Sequence, residues 1–236
     1  MSREADLDRL YELLIDLEDR VSGKHRLKSC TGYLDWPKRG VYFLFAHDEY
    51  RDTDDQHRLT RIGTHAVSSG SGASLWSRLR AHRGANSGTY AGGGNHRGSV
   101  FRKHIGKALI ERHNLHAEYP YWGDGSSADP NRRLNEHDLE RQVSDHIRDL
   151  PFLWIDVEDE PGPDSDRAYI EQNAIALVSN FEKDGLDRRN SDWVGAESPR
   201  QEIRNSGLWN INHVNGDYDS AFLDRVAEAV KDTTPV

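Results

Sequence analysis

The sequence predicts a mixed α/β (α+β) fold, in which a small antiparallel three-stranded sheet is flanked by helices. Three observations predict it. Two short β-type runs, residues 40–46 (GVYFLFA) and 58–64 (RLTRIGT), stand either side of the polar stretch 48–56, the pattern of an antiparallel hairpin. A third apolar run follows at 152–157. Around these, several segments repeat apolar residues at intervals of three and four, which places them on one face of a helix. With 35% hydrophobic and 30% charged residues, 236 residues can bury one good core or two small ones, so the reading is one domain with additions.

In chain order, residues 5–21 carry Leu7, Leu10, Leu13, Leu14 and Leu17 at helical spacing, and this helix ends near Gly23. It forms an N-terminal helical extension, residues 1–37. The hairpin opens the central domain, residues 38–192. Residues 74–83 read as a short helix with Leu75, Trp76 and Leu79 inward, and residues 99–112 as another with Val100, Ile105, Leu109 and Ile110. Between them, GANSGTYAGGGNHRG holds six glycines in fifteen residues, the composition of an irregular loop. A polar insertion around 123–135 precedes a helix at 136–148 and the third strand, which the acidic segment DEPGPDSD breaks. Residues 168–181 form a strong helical pattern. A C-terminal extension, residues 193–236, holds Trp193, Trp209 and a closing helix at 219–230. There is no internal repeat.

Charge is distributed unevenly. Residues 61–113 hold nine Lys or Arg against the single acid Glu111, so this segment carries +8 in a chain of net charge -9 and the remainder carries -17. A lone basic block in an acidic chain points to a polyanion, with nucleic acid first. The same segment holds His65, His82, His96, His104 and His113, more chemistry than charge neutralisation needs. Cys30 is the only cysteine, which excludes an intramolecular disulfide and a cysteine-rich zinc site. No apolar run approaches the roughly 20 residues of a spanning helix, and MSREADLD lacks a secretory pattern, so the expected compartment is a reducing cytoplasm, with no membrane partner.

Order and residue identity resemble one family. The strand with Gly40-Val41-Tyr42, the strand with Arg61-Ile62-Gly63, a helix with Arg78 and His82, and a later helix with Glu171 are similar to the GIY-YIG nuclease domain over about residues 38–192. The resemblance implies a small antiparallel sheet with flanking helices and metal-dependent phosphodiester hydrolysis. Val41 replaces isoleucine in the first tripeptide. Arg61 replaces the tyrosine of the second, as is compatible with restriction-enzyme-like branches of the family.

Phosphodiester hydrolysis needs an activated water, neutralisation of charge on the phosphoryl oxygens and stabilisation of the leaving alkoxide. The resemblance casts Tyr42 as general base or relay. A free phenol titrates at about 10, so it needs a neighbouring cation, which Arg61 or His65 could supply. The plain alternative is a half-buried strand tyrosine. Arg78 and His82, four residues apart on a helix, project from one face and can reach one phosphate; the alternative is a solvated helix face. Glu171 shares its stripe with Ala174, Ile175 and Val178, and a carboxylate on an apolar face must be paired or bind a cation. That makes it the metal ligand for Mg²⁺, or another divalent ion such as Mn²⁺, with a salt bridge as the alternative. Asn190 resembles the asparagine that follows the family's glutamate, with Asn173 or Asn180 as substitutes. Arg80, Arg83, His96, Arg97, Ser99, Arg102 and Lys103 are the expected nucleic-acid contacts, although a disordered connector fits the glycine-rich stretch equally.

The function read from the sequence is a metal-dependent DNA endonuclease, considered in a restriction or defence setting. The sequence does not separate DNA from RNA. The alternative is a catalytically silent nucleic-acid-binding module on the same fold.

Overall fold

The computed structural model describes residues 2–236. Its sheet is antiparallel throughout and has four strands rather than the three expected, in the order β1-β4-β2-β3. The strands are β1 (His25–Arg26), β2 (Gly40–Tyr50), β3 (His57–Gly63) and β4 (Pro151–Asp156). The added strand, β1, consists of two basic residues that pair with Phe152 and Pro151. It shows neither alternation nor an apolar run, so nothing in its sequence marks it as a strand. β2 lies between β3 and β4, and residues 40–46 are buried on both faces. This accounts for an uninterrupted apolar run in an antiparallel sheet.

Among the described residues eight α-helices surround the sheet: α1 (Arg3–Arg20), α2 (Leu75–Arg83), α3 (Val100–His113), α4 (Pro130–Asn135), α5 (His137–Asp149), α6 (Asp166–Val178), α7 (Gln201–Ser206) and α8 (Phe222–Asp232). α1, α6 and α8 pack on one another and against the sheet, and α2 and α3 pack on α5. Helix starts follow capping chemistry. Ser2, Ser74, Ser99, Asp129 and Ser165 each cap a helix by accepting from a backbone N–H of its first turn. Among the described residues no helix is long and apolar enough to cross a membrane.

Two features prepare the site. The glycine-rich stretch is irregular, as its composition predicts, yet closed on itself: Ala85 N donates to Gly93 O at 2.7 Å and Gly92 N to Ala85 O at 2.9 Å. The outer edge of β3 is also covered. Trp209 N donates to Thr60 O at 2.8 Å, and the Asn210 amide accepts from Ile62 N at 3.2 Å and donates to Ile62 O at 2.8 Å. A side-chain amide thus stands where a neighbouring strand would pair, and at Thr60 and Ile62 the edge is closed to another chain.

Candidate active site

The β2–β3 register assembles the first half of the site. Tyr42 lies opposite Gly63 and Leu44 opposite Arg61, so Tyr42 and Arg61 share a face of the sheet. Each tripeptide glycine is explained by a close approach. A Cβ at Gly63 would overlap the Tyr42 hydroxyl, and one at Gly40 would overlap the carbonyl of Ile155. The Tyr42 ring therefore lies across a strand that has no side chain at that point.

α2 and α3 supply the second half. Ser74 and Ser77 form a reciprocal capping box that fixes the start of α2 and with it the orientation of Arg78 and His82. His82 Nε2 lies 2.9 Å from the Tyr42 hydroxyl and His82 Nδ1 lies 2.8 Å from Ser99 Oγ, all three groups buried. Burial, followed by the cationic Arg78, Arg61 and Arg102, holds the His82 pKa well below its ordinary value. The ring is neutral, with one nitrogen donating and one accepting. Arg61 is pinned by donation to Trp209 O at 3.1 Å and by stacking 4.6 Å over the Phe101 ring, while its buried Nε has no hydrogen-bond partner.

Glu171, on α6, meets this cluster at the end of β3, where its Oε1 accepts from Thr64 N at 3.1 Å. Burial raises its pKa, against the pull of Arg61, the Thr64 N–H, His213 and Arg78. No Lys, Arg or His lies within ion-pair distance of it among the described residues, so the salt-bridge alternative is not what the structure displays. Arg78 and His65 line an adjoining cleft with Thr64 and Ser77. His65 Nε2 faces Lys38 O at 3.3 Å, and its buried Nδ1 has no partner. Burial and the Arg167 cation lower the His65 pKa to about 4. His65 is therefore uncharged at neutral pH, and the cations beside the Tyr42–His82 pair are Arg61 and Arg78.

Tyr42, Arg61, Arg78, His82 and Glu171 are thus brought together, with His65 at the cleft wall. Asn190 is not among them. It is exposed, and its backbone N–H donates to the Glu49 carboxylate at 2.9 Å, toward the other end of β2 from Tyr42. The substitutes are engaged in local structure: Asn173 donates to Tyr169 O and accepts from Asp219 N, and Asn180 accepts from Leu186 N. The segment that approaches Glu171 instead is WNINH, which supplies Asn210 on the β3 edge and the exposed His213 with φ 63°. Its signal was an asparagine and a histidine three residues apart with no periodicity around them.

The basic segment is divided by the fold. Arg102 is fully buried and bonded to Glu140 Oε2 at 2.5 Å, to His82 O at 2.7 Å and to Ser144 Oγ at 2.9 Å. His96 donates through Nδ1 to the same carboxylate at 2.9 Å, its Nε2 accepting from Gly123 N. Burial opposes the Glu140 charge, but the His96 and Arg102 bonds outweigh it and lower its pKa. Arg97 forms a two-pronged pair with Glu136 at 2.6 and 2.8 Å, and Arg83 donates to Cys30 O at 2.6 Å. Ser99 caps α3 and holds His82. These side chains face inward with partners, whereas Arg80 is exposed and Lys103 half-exposed, neither with a side-chain bond. Among the described residues no cluster of three or more His, Cys, Asp or Glu is arranged around a metal position. A single half-buried carboxylate without a cationic partner still suits Mg²⁺, which binds through one or two carboxylates and takes water and substrate oxygens for the rest.

No curated protein and no solved structure matches the chain. A family model described as the GIY-YIG domain matches residues 1–236, and with the two glycine-bearing strands, the arginine–histidine helix and the helical glutamate in one place, the chain belongs to the GIY-YIG family.

Proposed function

We propose that the protein is a metal-dependent endonuclease that hydrolyses phosphodiester bonds in DNA. The observation that carries this reading is the 2.9 Å bond between Tyr42 and a neutral His82, set beside Arg61, Arg78 and an unpaired Glu171. Family membership supports nuclease chemistry, and the neutral imidazole supports a proton path. In this mechanism Tyr42 takes the proton of the attacking water as it hands its own to His82 Nε2, and Ser99 holds the other ring nitrogen. Arg78 donates its planar fork to the non-bridging oxygens of the scissile phosphate, and Arg61 adds positive charge opposite the negative charge that develops on the phosphoryl group. Glu171 would hold Mg²⁺ or Mn²⁺, which supplies Lewis-acid stabilisation of the phosphoryl and leaving oxygens when bound. Arg61 and Arg78 flank that carboxylate, and their charge would be offset by the substrate phosphate where Glu171 holds the ion. The proposed setting is restriction or defence, consistent with a cation in the second tripeptide.

Purified protein incubated with plasmid DNA should nick or linearise it with Mg²⁺ and leave it intact with chelator. Glu171→Ala should lose cleavage and keep DNA binding. Full cleavage by that variant removes Glu171 from the chemistry. Binding without cleavage by the parent under any divalent ion identifies a silent nucleic-acid-binding module.

A further inference from the structure

Arg80 and Arg133 differ from most arginines of this protein in having no side-chain hydrogen bond or ion pair among the described residues. Both line one concavity beside the glycine-rich loop, with Tyr90, Gly94, Asn95 and Gly98, and no Asp or Glu lines it. In a chain of net charge -9, an unpaired two-arginine cleft without an acid is a marked exception. Arg133 lies 3.7 Å over the Tyr90 ring, and Tyr90 in turn meets His137 edge to face. A guanidinium seated over a ring uses no N–H donor in that contact, so the contact positions Arg133 and leaves its donors available. The glycines shape the floor. Gly94 has no room for a Cβ because the Arg102 guanidinium lies beneath it, and at Gly98 a Cβ would meet nothing. Ala81 of α2 lines both this concavity and the cleft that holds Arg78 and His65, so the two are neighbours.

We infer that this concavity is a second phosphate subsite, which takes a phosphodiester of the DNA strand flanking the one cleaved. The inference rests on the nuclease reading. The chemistry favours phosphate over a stacked base: the Tyr90 face toward Arg133 is already covered, and what remains are cationic donors and exposed glycine backbone. Arg80 and Arg133 then carry the electrostatic contact that Arg97 and Arg102, turned inward to glutamates, do not make.

The test measures binding of the full chain to a duplex oligonucleotide across a salt series, without divalent metal. One neutralised duplex phosphate contributes a slope of about 0.9 in log K against log salt, or about fivefold in affinity at 0.15 M salt. Replacing both Arg80 and Arg133 by Ala should flatten the slope by about 0.9 and weaken binding about fivefold, each single alanine variant should show part of that loss, and Arg133→Lys should keep the slope. A neutral methylphosphonate placed at successive backbone positions should abolish the effect of Arg133→Ala at one position only. Unchanged slopes in both alanine variants, or an equal loss at every methylphosphonate position, would overturn the subsite. A parent that cuts DNA while these variants bind like it refutes the subsite alone. A parent whose affinity ignores salt refutes the nuclease reading itself.

Discussion

Replacing Tyr42 by phenylalanine removes one oxygen and tests both halves of the site at once. On sequence grounds the change should be silent for folding, because the ring and its strand packing remain. The structure predicts otherwise. The hydroxyl is the partner of His82 Nε2, and both side chains are buried, so the variant leaves a buried ring nitrogen without its protein partner. An orphaned buried polar atom costs about 1–3 kcal/mol. For a chain of this size each kcal/mol lowers Tm by about 2–4 °C, which gives a fall of roughly 2–12 °C. Loss of the general base should lower single-turnover cleavage by about 10² to 10⁴ while DNA affinity holds. The link between the effects is checked by urea unfolding of Tyr42→Phe, His82→Leu and the double variant. Because the second change removes the orphan, the double variant should be more stable than the sum of the singles by more than about 0.5 kcal/mol. Additive losses would mean that the bond does not couple the two residues. Cleavage at the parent rate by Tyr42→Phe would take Tyr42 out of the chemistry.

Gly63→Ala should reduce cleavage at least as sharply as Tyr42→Phe, since its Cβ displaces the hydroxyl from His82, at an overpacking cost of about 1–3 kcal/mol seen in thermal melts; parent-like cleavage would show that Tyr42 is free to move. Glu171→Gln should raise Tm near pH 8 without divalent metal, because a raised folded pKa makes the ionised carboxylate a liability above the ordinary carboxylate range. That gain should shrink on acidification, and a gain independent of pH would argue against a buried charge. Arg102→Ala should cost about 3–5 kcal/mol by leaving the buried Glu140 carboxylate without its arginine, held by His96 alone, with a loss under 1 kcal/mol in urea unfolding counting against the network. Acid should unfold the protein readily: burial lowers the pKa of His82, of His65 and His146 to about 4 and of His104 to about 3, so the stability held by their neutral forms is lost as pH falls below about 6.5. Each contributes a slope of about 1.4 kcal/mol per pH unit, and a flat urea midpoint between pH 6.5 and 5 would contradict this.

The parts of the site legible in the sequence were those fixed by local spacing. Arg78 and His82 are one helical turn apart, Glu171 shares a stripe with three apolar residues, and the tripeptides mark strand positions. What was not legible depended on distant partners. The basic segment looked like one surface because its counter-charges, Glu136 and Glu140, lie outside it; charge counted along the chain is not charge counted in space. Ser99 read as a phosphate contact, and its dual role as α3 cap and His82 partner appears only when α2 and α3 are packed together. Asn190 followed Glu171 in order, but the chain after α6 leads it to Glu49, and only the later WNINH segment returns to β3. β1 was missed because two residues carry no pattern.

The way Trp209 and Asn210 close the edge of β3 bears on when the candidate site becomes complete. Tyr42, Arg61, His82 and Glu171 all precede this segment, yet the Arg61 guanidinium is held by the carbonyl of Trp209, and α8, later still, packs against β4 and α1. During synthesis the chemical groups are therefore made well before the residue that fixes one of them, and the contacts that complete the sheet are among the most distant in the chain. Such long-range closure is slow relative to local helix formation. A nascent chain without the Trp209 segment would hold Tyr42, Arg61, His82 and Glu171 without their final geometry, so the candidate site is completed by that later segment rather than by the appearance of the motif.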